Sequence, residues 1–490
     1  RVVSEQQELS PLASSARAEV REFYETHHEK IAQNRANRSY YYDYLARVLK
    51  ARVAPGQRVL EIGCGSGDLL AALSPSFGVG IDLSGRAVAA ARTRHPHLHF
   101  LEGDACETDT LTKARGPFDV ILIVNVVTFL GDVRRLFDAL HKVSHAKTRI
   151  MIYSYSRLWQ PVLGLAEMLG LKQAQPPESW IPQEEIRTML HLSDWDLVRE
   201  DRQIVFPVYV PLVSEVLNRF IGHLPLVDEL SLMFGMVGRP RLTRHPGSVR
   251  SGPSVSVVIP CRNEEGHIAP MVARLPDLPP NSEYIFVEGG SKDGTEAAIK
   301  AAIEKNPGKP LRFLKQTGKG KGDAVRLGFG AARGEVLAIL DSDMGVAPED
   351  LPSFVGALSS GHAEFVNGSR LVYPMAGKAM RFLNLLANKF FAALFSWILG
   401  QNCRDTLCGT KVLYRADYER IAANRAYFGD FDPFGDFDLL FGASRLNLHI
   451  VDLAVRYHER EYGETNINRF AHGFLLLRMS AFASRKLKFL

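Results

Sequence analysis

Two carboxylates separated by one residue follow an apolar run in the C-terminal half of the chain. Residues 335–343 read Glu-Val-Leu-Ala-Ile-Leu-Asp-Ser-Asp and end in Asp341 and Asp343. Such a run is typical of a buried parallel strand, and ligands of open α/β sheets bind beyond the carboxyl ends of these strands. Two carboxylates at that edge suit Mg²⁺ or Mn²⁺, which takes a few carboxylates together with phosphate oxygens of a substrate. Because a solvated turn has the same composition, the neighbouring elements must support this interpretation.

Those neighbouring elements alternate between predicted strands and predicted helices. Residues 254–265 and 283–295 each read as a buried strand followed by a polar loop. The Gly/Lys loop at 318–323 opens a helix, and its backbone N–H groups and cations suit a diphosphate. This alternation predicts a mostly parallel α/β sheet with helices on both faces.

The N-terminal half contains a second strand that runs into a glycine-rich turn. Residues 57–62 lead into Gly63-Cys-Gly65-Ser-Gly67, and glycines let the backbone turn tightly and approach a ligand closely. The next predicted strand ends in Asp82, where an acid bonds ribose hydroxyls in nucleotide-binding sheets. Two further strands end in Asp104 and Asn125, so the same edge collects polar side chains.

Four motifs in order, at 60–67, 80–84, 102–105 and 118–120, resemble the class I S-adenosylmethionine-dependent methyltransferases over about residues 40–200. The resemblance implies a Rossmann-like domain that binds S-adenosylmethionine. It places three glycines at the methionine end of that cofactor, Asp82 at the ribose and Asp104 at the adenine. The cofactor-binding residues implied in this way are Glu61, Gly63, Gly65, Gly67, Asp82 and Asp104.

The sequence leaves the methyl acceptor open. Residues 125–128, Asn-Val-Val-Thr, depart from the Asn/Asp-Pro-Pro-aromatic motif of enzymes that methylate amides or exocyclic amines, which speaks against DNA or glutamine. A sugar hydroxyl is one hypothesis, motivated only by the second half of the chain, and a regulatory domain that only binds the cofactor is the alternative. His141, His145 and Tyr153 are candidate bases, although a single histidine more often has a structural role.

Residues from about 253 to 490 resemble the family 2 glycosyltransferases, which have the nucleotide-sugar-binding GT-A fold, and especially the dolichyl- or polyprenyl-phosphate sugar synthases. The ordered motifs are Val-Val-Ile-Pro with Asn-Glu at 257–264, the Gly/Lys loop, Asp-x-Asp, Asn-Gly-Ser-Arg at 367–370, Arg-Asp-Thr-x-Cys-Gly at 404–409 and Tyr-Gly-Glu-Thr-Asn at 462–466. The usual Val-Asp-Asp-Gly-Ser is replaced by Val-Glu-Gly-Gly-Ser at 287–291, which leaves a UDP- or GDP-linked donor open. The implied donor-binding residues are Pro260, Asn263, Glu264, Glu288, Ser291, Lys319, Lys321, Asp323 and Ser342.

The same resemblance implies an inverting transfer in which a metal on Asp341 and Asp343 neutralises the leaving diphosphate. A lipid phosphate is already ionised and needs no base, so it would be bound by Ser369, Arg370 and Arg404. A hydroxyl acceptor would need a carboxylate to take its proton. Asp436 and Asp438 are the candidates, and the alternative is that they are capping acids of a loop.

The composition is that of a globular protein with more than one domain. The chain has 490 residues, 46% of them apolar and 23% charged, and its net charge of +5 does not argue for nucleic acid. Five scattered cysteines favour a reduced cytosolic setting over disulfides or zinc. We predict a methyltransferase domain at 1–238 with a helical N-terminal and an apolar C-terminal extension, a linker at 239–253, and a glycosyltransferase domain at 254–490.

Several segments bear on membrane contact. No stretch reaches ~18 uninterrupted apolar residues, so we expect no transmembrane helix, and residues 1–5 lack a signal-peptide core. The apolar segment 204–237 is expected to pack as helices, with a membrane or partner surface as the alternative. Residues 383–399 and the basic segment 472–490 have the composition of interfacial helices, and the alternatives are that they cover the sheet or form a homodimer.

Residues 1–50 read as helix. Most of the five tyrosines in it are expected to pack, and a lid over a small-molecule site is the alternative. They are Tyr24, Tyr40, Tyr41, Tyr42 and Tyr44.

The sequence therefore predicts a bifunctional α/β enzyme of two domains. The second domain is expected to load a sugar onto a polyprenyl phosphate at the cytoplasmic face of a membrane, and the first to methylate an unknown acceptor. One alternative is a soluble glycosyltransferase that extends a glycan or small molecule, which the first domain then methylates. The other is a membrane-docked scaffold whose first domain only senses S-adenosylmethionine.

Overall fold

The computed structural model describes residues 11–37, 39–170, 175–176, 178–242, 252–370, 382–425, 437–456 and 469–489, without the side chains at 11–16, 32–39, 382–385 and 469–472. The chain divides into two compact units, the first ending at Arg241 and the second running from Leu242 to Lys488.

The first unit is built on a seven-stranded sheet. Its strands are β1 (Arg58–Ile62), β2 (Phe77–Asp82), β3 (His99–Glu102), β4 (Phe118–Val124), β5 (Ser144–Tyr155), β6 (Trp195–Gln203) and β7 (Met233–Pro240). They lie in the order β3-β2-β1-β4-β5-β7-β6, in which the first five are parallel and β7 is antiparallel to both of its neighbours. The strand order reverses between β1 and β4, which is where open α/β sheets bind ligands.

Helices cover this sheet on both faces. They are α1 (Pro11–Asn37), α2 (Ser39–Arg52), α3 (Asp68–Ala72), α4 (Gly85–Arg94), α5 (Thr108–Lys113), α6 (Val133–Leu140), α7 (Gln160–Met168), α8 (Gln183–Leu192) and α9 (Val213–Arg219). Successive residues of a strand point to opposite faces. Val59 therefore packs in one core with Leu45 of α2, and Leu60 packs in the other with Leu136 of α6. This confirms the predicted layers.

The apolar segment 204–237 differs from the prediction. Its last residues form β7, which is buried along its whole length between β5 and β6, rather than a packed helix. Arg239 and Pro240, which we assigned to the linker, belong to this strand. In the preceding part the helix α9 forms with Ser214 and Asn218 buried, while Val208 at 59% and Leu212 at 82% are solvent-exposed. Periodicity alone does not separate a buried strand from a buried helix.

The second unit is built on another seven-stranded sheet. Its strands are β8 (Val255–Cys261), β9 (Glu283–Glu288), β10 (Leu311–Lys315), β11 (Val336–Ile339), β12 (Phe365–Ser369), β13 (Lys411–Tyr414) and β14 (Ile450–Ala454). Their order is β10-β9-β8-β11-β13-β12-β14. The first four are parallel, and β13 is antiparallel to β11 and β12. The carboxyl ends of β8, β9 and β11 therefore meet at one edge.

Helices also flank this sheet on both faces, around two apolar cores. They are α10 (Glu265–Arg274), α11 (Thr295–Lys305), α12 (Lys321–Ala331), α13 (Leu351–Ser359), α14 (Phe382–Leu399), α15 (Arg415–Ala423), α16 (Phe437–Arg445) and α17 (Arg469–Leu487). Phe395 of α14 and Met479 of α17 lie in the same core, so these two helices cover the sheet. Among the residues described, no helix combines the length and the apolar composition needed to span a bilayer.

Candidate active sites

The glycine turn after β1 has a backbone that only glycine adopts readily. Gly63, Gly65 and Gly67 have φ angles of 69°, 50° and 73°, in the left-handed region. A Cβ on Gly63 would lie 2.2 Å from Cγ2 of Val126, the second residue after β4. The turn therefore packs directly against the loop that carries Asn125.

Asp82 is anchored beside this turn at the end of β2. Its two carboxylate oxygens accept hydrogen bonds from the N–H groups of Gly65, at 2.8 Å, and Ser84, at 2.9 Å. Burial raises the pKa of this carboxyl, although the backbone N–H groups act against that rise. Its place, next to the glycine turn at the switch point of the sheet, fits the ribose role that the sequence predicted.

Glu61, the last but one residue of β1, lies directly before the glycine turn. Its side chain is buried, and Oε2 accepts a hydrogen bond from the N–H of Leu70 in α3 at 3.2 Å. The carboxylate thus holds the helix that follows the glycine turn. We interpret it as a positioning residue for that turn.

Helix α1 lies across the ends of β2 and β3. Arg17 donates to Oδ2 of Asp104 at 3.0 Å, and Oδ1 of Asp104 accepts from the N–H of Cys106 at 2.8 Å. About two turns later, Glu25 accepts from the N–H of Gly85 at the start of α4. These contacts put α1 over the edge that carries Asp82 and Asp104.

The side chains of the three candidate bases are hydrogen-bonded to other protein groups. His141 bonds the carbonyl of Ser193 at 2.7 Å, and His145 bonds Asp119 at 3.0 Å. Both lie at the amino end of β5, whereas the glycine turn lies at the opposite edge. Tyr153 is fully buried and hydrogen-bonded to Arg52, which pairs with the buried Asp201, and burial raises the pKa of its hydroxyl.

The predicted donor-binding loops of the second unit are joined by hydrogen bonds. The N–H of Asn263 donates to Ser291 Oγ at 3.0 Å, and the N–H of Ser291 donates to Glu288 Oε1 at 2.5 Å. Glu288 is only 2% exposed, so the glutamate that replaces the usual aspartate holds its own loop. Glu264, also buried, bonds His267 at 2.6 Å. These contacts fix the loops beyond β8 and β9, and Pro260 is the last but one residue of β8.

The Gly/Lys loop leads into α12 through Gly320, which has a φ of 86°. Gln316, which the sequence analysis missed, donates to the carbonyl of Gly320 and to Asp323 Oδ2, both at 2.9 Å. Lys319 is solvent-exposed. Lys321 reaches Oδ1 of Asp341 at 2.7 Å, so the loop and the carboxylate pair form one site.

The carboxylate pair lies in a cationic environment. Burial opposes ionisation of Asp341, but Lys321, Lys411 and Arg370 outweigh it and lower the pKa of this carboxyl. Asp343 Oδ1 accepts from the N–H of Gly345 at 3.1 Å, and Ser342 between the two acids is buried.

Gly409 leaves the space that the Lys321–Asp341 contact occupies. A Cβ there would lie 2.0 Å from Asp341 Oδ2 and 2.3 Å from Lys321 Nζ. The carboxylates of Asp341 and Asp343 are ligands that a hard divalent cation takes. Within the described part of the chain no three His, Cys, Asp or Glu side chains gather as metal ligands, so such a cation would complete its shell with substrate oxygens and water.

The predicted acceptor residues lie around a buried ion pair. Arg370 donates to both oxygens of Asp405, from Nε at 2.7 Å and from Nη2 at 3.0 Å. Asp405 is fully buried, and although burial opposes ionisation, Arg370 lowers its pKa. Ser369 is also fully buried, and its hydroxyl has no hydrogen-bond partner among the described residues.

Arg404 is exposed, while its N–H donates to Asp452 Oδ2 at 2.6 Å. Asp452 was not predicted as a site residue, nor was Lys411, which is fully buried and donates to the carbonyl of Cys408 at 2.6 Å.

Asp438 lies between two arginines. Its Oδ2 accepts from Arg425 Nε at 3.3 Å and lies 4.0 Å from Arg326. Asp436 and the motif at 462–466 lie outside the described residues.

Comparison with known proteins gives two family matches. A model described as glycosyl transferase family 2 matches residues 256–421, and a model described as a methyltransferase domain matches residues 60–149. Undecaprenyl-phosphate mannosyltransferase of Micrococcus luteus is 30% identical over 225 residues, which cover 44% of this chain and 87% of that protein. Polyprenol monophosphomannose synthase of Mycolicibacterium smegmatis is 28% identical over 230 residues, which cover 46% and 84%.

Other relatives are matched over a smaller share of their own length. The dolichyl-phosphate beta-glucosyltransferase of Dictyostelium discoideum is 27% identical over 224 residues, which cover 42% of this chain and 66% of that protein. The chain spans about half the length of two further curated relatives. These matches confirm both resemblances found in the sequence. The chain belongs to the family 2 glycosyltransferases, and a methyltransferase domain precedes its glycosyltransferase domain.

Proposed function

We propose that the second unit transfers a hexose from a nucleoside diphosphate sugar to the phosphate of a polyprenyl lipid, with inversion at the anomeric carbon. The observation that carries this proposal is the cationic group of Lys321, Arg370 and Lys411 around Asp341. The two relatives that are named as lipid-phosphate mannosyltransferases support the choice of a polyprenyl phosphate as acceptor.

The donor diphosphate is proposed to bind between the Gly/Lys loop and the carboxylate pair. Asp341 and Asp343 would hold a divalent cation, which supplies charge neutralisation for the leaving diphosphate. Lys321, at the start of α12, is close enough to add a second positive charge. The helix N-terminus adds backbone N–H groups and a favourable dipole.

The acceptor is proposed to be a phosphate because the site offers cations and no free carboxylate base among the described candidates. Asp438 is paired with two arginines, which makes it a poor proton acceptor. The exposed Arg404 and the unpartnered Ser369 hydroxyl can bind phosphate oxygens, and Arg370 is positioned beside them by Asp405. An ionised phosphate attacks without prior loss of a proton.

The lipid is proposed to be reached at the membrane surface through the outer side of α14 and α17. Leu386, Phe390 and Phe474 are exposed by 57%, 55% and 72%, while the inner residues of both helices lie in the core. Lys389 and Arg478 add exposed cations on the same helices, which suit anionic headgroups.

The first unit is proposed to transfer a methyl group from S-adenosylmethionine. The glycine turn and Asp82 fit the nucleoside and methionine portions of that donor, because the acid and the left-handed backbone lie together at the switch point. The donor supplies an electrophilic methyl group on a sulfonium, and the chain supplies binding and orientation.

The test of the glycosyl transfer is incorporation of labelled sugar into an organic-soluble lipid. The full chain is incubated with Mn²⁺, a polyprenyl phosphate and labelled GDP- or UDP-hexose. We expect one donor to label the lipid, and Asp343→Asn to reduce the rate by at least about 100-fold, since it removes charge stabilisation of the leaving group. Glu335→Gln, an exposed carboxylate at the other end of β11, is the matched control and should keep full activity. Labelled glycan or free sugar without labelled lipid would refute the phosphate acceptor.

A further inference from the structure

An aromatic cluster lies near the carboxyl ends of β4 and β5 in the first unit. We define it as Tyr24, Tyr42, Tyr155 and Trp180, all of them partly exposed. The ring of Tyr155 lies 6.4 Å from that of Trp180 and 6.4 Å from that of Tyr41, which in turn lies 5.0 Å from Tyr42. Tyr24 is near enough to Tyr42 and Tyr155 for both to raise the pKa of its hydroxyl, although burial is the larger cause. The four rings therefore belong to one neighbourhood.

This aromatic cluster adjoins the glycine turn through Asn125. The side chain N–H of Asn125 donates to Tyr41 Oη at 2.9 Å, and Val126, the next residue, contacts Gly63. The other side-chain atom, Oδ1, is buried and has no hydrogen-bond partner among the described residues. A hydrogen-bond acceptor is thus left for a ligand at the junction between the aromatic cluster and the proposed methyl-donor site.

Two carboxylates act on Tyr24 of the aromatic cluster. They are Glu178 and Asp82. The nearby arginines of α1 are paired with other acids, Arg17 with Asp104 and Arg21 with Glu102. Aromatic faces beside a carboxylate attract a cation.

A hydroxyl acceptor must give up its proton to a base in the transition state, and none of the three bases predicted from the sequence is available here. Burial raises the pKa values of Tyr24 and Tyr41, which keeps both phenols protonated. His141 and His145 lie at the opposite edge of the sheet. An amine attacks through its lone pair, and the positive charge that develops on its nitrogen is stabilised by the ring faces and by Glu178.

We propose that the aromatic cluster, with Glu178 and Asn125, is the methyl-acceptor site and that it binds an amine, which is methylated on nitrogen. The inference rests on the proposed methyl transfer in the first unit and replaces the earlier hypothesis of a sugar hydroxyl. The bound ammonium first gives one N–H proton to water. The freed nitrogen lone pair then forms the new N–C bond while the methyl–sulfur bond of S-adenosylmethionine breaks, so the positive charge moves from sulfur to nitrogen and S-adenosylhomocysteine leaves.

The test uses a pair of probes that differ only in charge. The full chain is saturated with S-adenosylhomocysteine and titrated calorimetrically with choline or with its neutral isostere, 3,3-dimethyl-1-butanol. We expect choline to bind about tenfold more tightly than the isostere, the size of a desolvated cation–π contact. Glu178→Gln should weaken choline binding by about the same factor, while Glu185→Gln, an exposed carboxylate on α8, should leave it unchanged. Both variants should bind S-adenosylhomocysteine as the parent does, which shows that they fold.

Equal affinity for the two probes, or no binding of choline to a protein that binds S-adenosylhomocysteine, would overturn the inference and leave the methyl transfer intact. Failure to bind S-adenosylhomocysteine itself would refute the proposed methyl transfer, and this inference with it.

Discussion

Replacing Gly409 by alanine should disable sugar transfer without unfolding the protein. The added Cβ would lie 2.0 Å from Asp341 Oδ2 and 2.3 Å from Lys321 Nζ, which is well inside van der Waals contact. The end of the Lys321 side chain can move away at low cost, whereas the short Asp341 side chain must shift by an ångström or more. A misplacement of about 1 Å at a reacting centre costs on the order of 100-fold in rate. We therefore expect a loss of that size in transfer to lipid, and a weaker response to Mn²⁺.

The matched control is Gly330→Ala on α12, the helix that begins with Lys321. A Cβ on Gly330 meets nothing within 4 Å, so this variant should keep full activity and gain about 0.5–1 kcal/mol from the helix propensity of alanine. Initial rates over a Mn²⁺ series and thermal unfolding are measured for both. If Gly409→Ala transfers sugar at the parent rate with an unchanged Mn²⁺ response, the assignment of the Lys321–Asp341 contact to the donor site is refuted.

Three further variants test other parts of the structure. Asp405→Asn removes a buried carboxylate whose pKa Arg370 holds down, so stability should fall at neutral pH. The difference from the parent in urea unfolding should shrink below about pH 4, as the parent carboxyl also takes up a proton, and a constant difference would contradict the ion pair. Gly63→Ala should lower the free energy of unfolding by about 1–3 kcal/mol and abolish binding of S-adenosylhomocysteine, because φ at this position is 69° and the added Cβ would lie 2.2 Å from Val126. The control Gly164→Ala, whose Cβ meets nothing within 4 Å, should have neither effect. Arg52→Met should destabilise the first unit by about 3–5 kcal/mol in urea unfolding, because it leaves Asp201 buried without its cation, and a loss below 1 kcal/mol would show that the pair is dispensable.

Some of the predicted site residues lie at the end of a strand or just beyond it. Asp341 and Asp82 come at the ends of apolar runs, and parallel strands deliver such residues to one edge whatever the details of packing. The glycine turn could also be predicted, because its spacing reflects a backbone that few other residues adopt.

Lys411 could not be predicted in this way. It reaches the site because β13 pairs antiparallel with β11, in a register that sets Lys411 opposite Ile339, two residues before Asp341. A shift of one residue would turn its side chain to the other face of the sheet. That register depends on long-range packing that no local pattern records.

The N-terminal helix gives a second example. The contact between Arg17 and Asp104 joins residues 87 positions apart in the chain. The sequence predicted the helix and offered a lid as one alternative, but the edge of the sheet that it covers follows from the tertiary structure alone. The segment 204–237 was misjudged for a related reason, because its apolar composition fits a buried strand, a packed helix and an exposed surface equally well.

The most direct test of the glycosyltransferase assignment is calorimetric titration of the full chain with GDP and UDP, each with and without Mn²⁺. We predict that one nucleotide binds only with Mn²⁺, that Asp343→Asn abolishes the metal-dependent binding, and that Glu335→Gln retains it. Tight binding without metal, unchanged in Asp343→Asn, would contradict the assignment of Asp341 and Asp343 to a metal-bound diphosphate. The absence of binding by either nucleotide would contradict the proposed donor class.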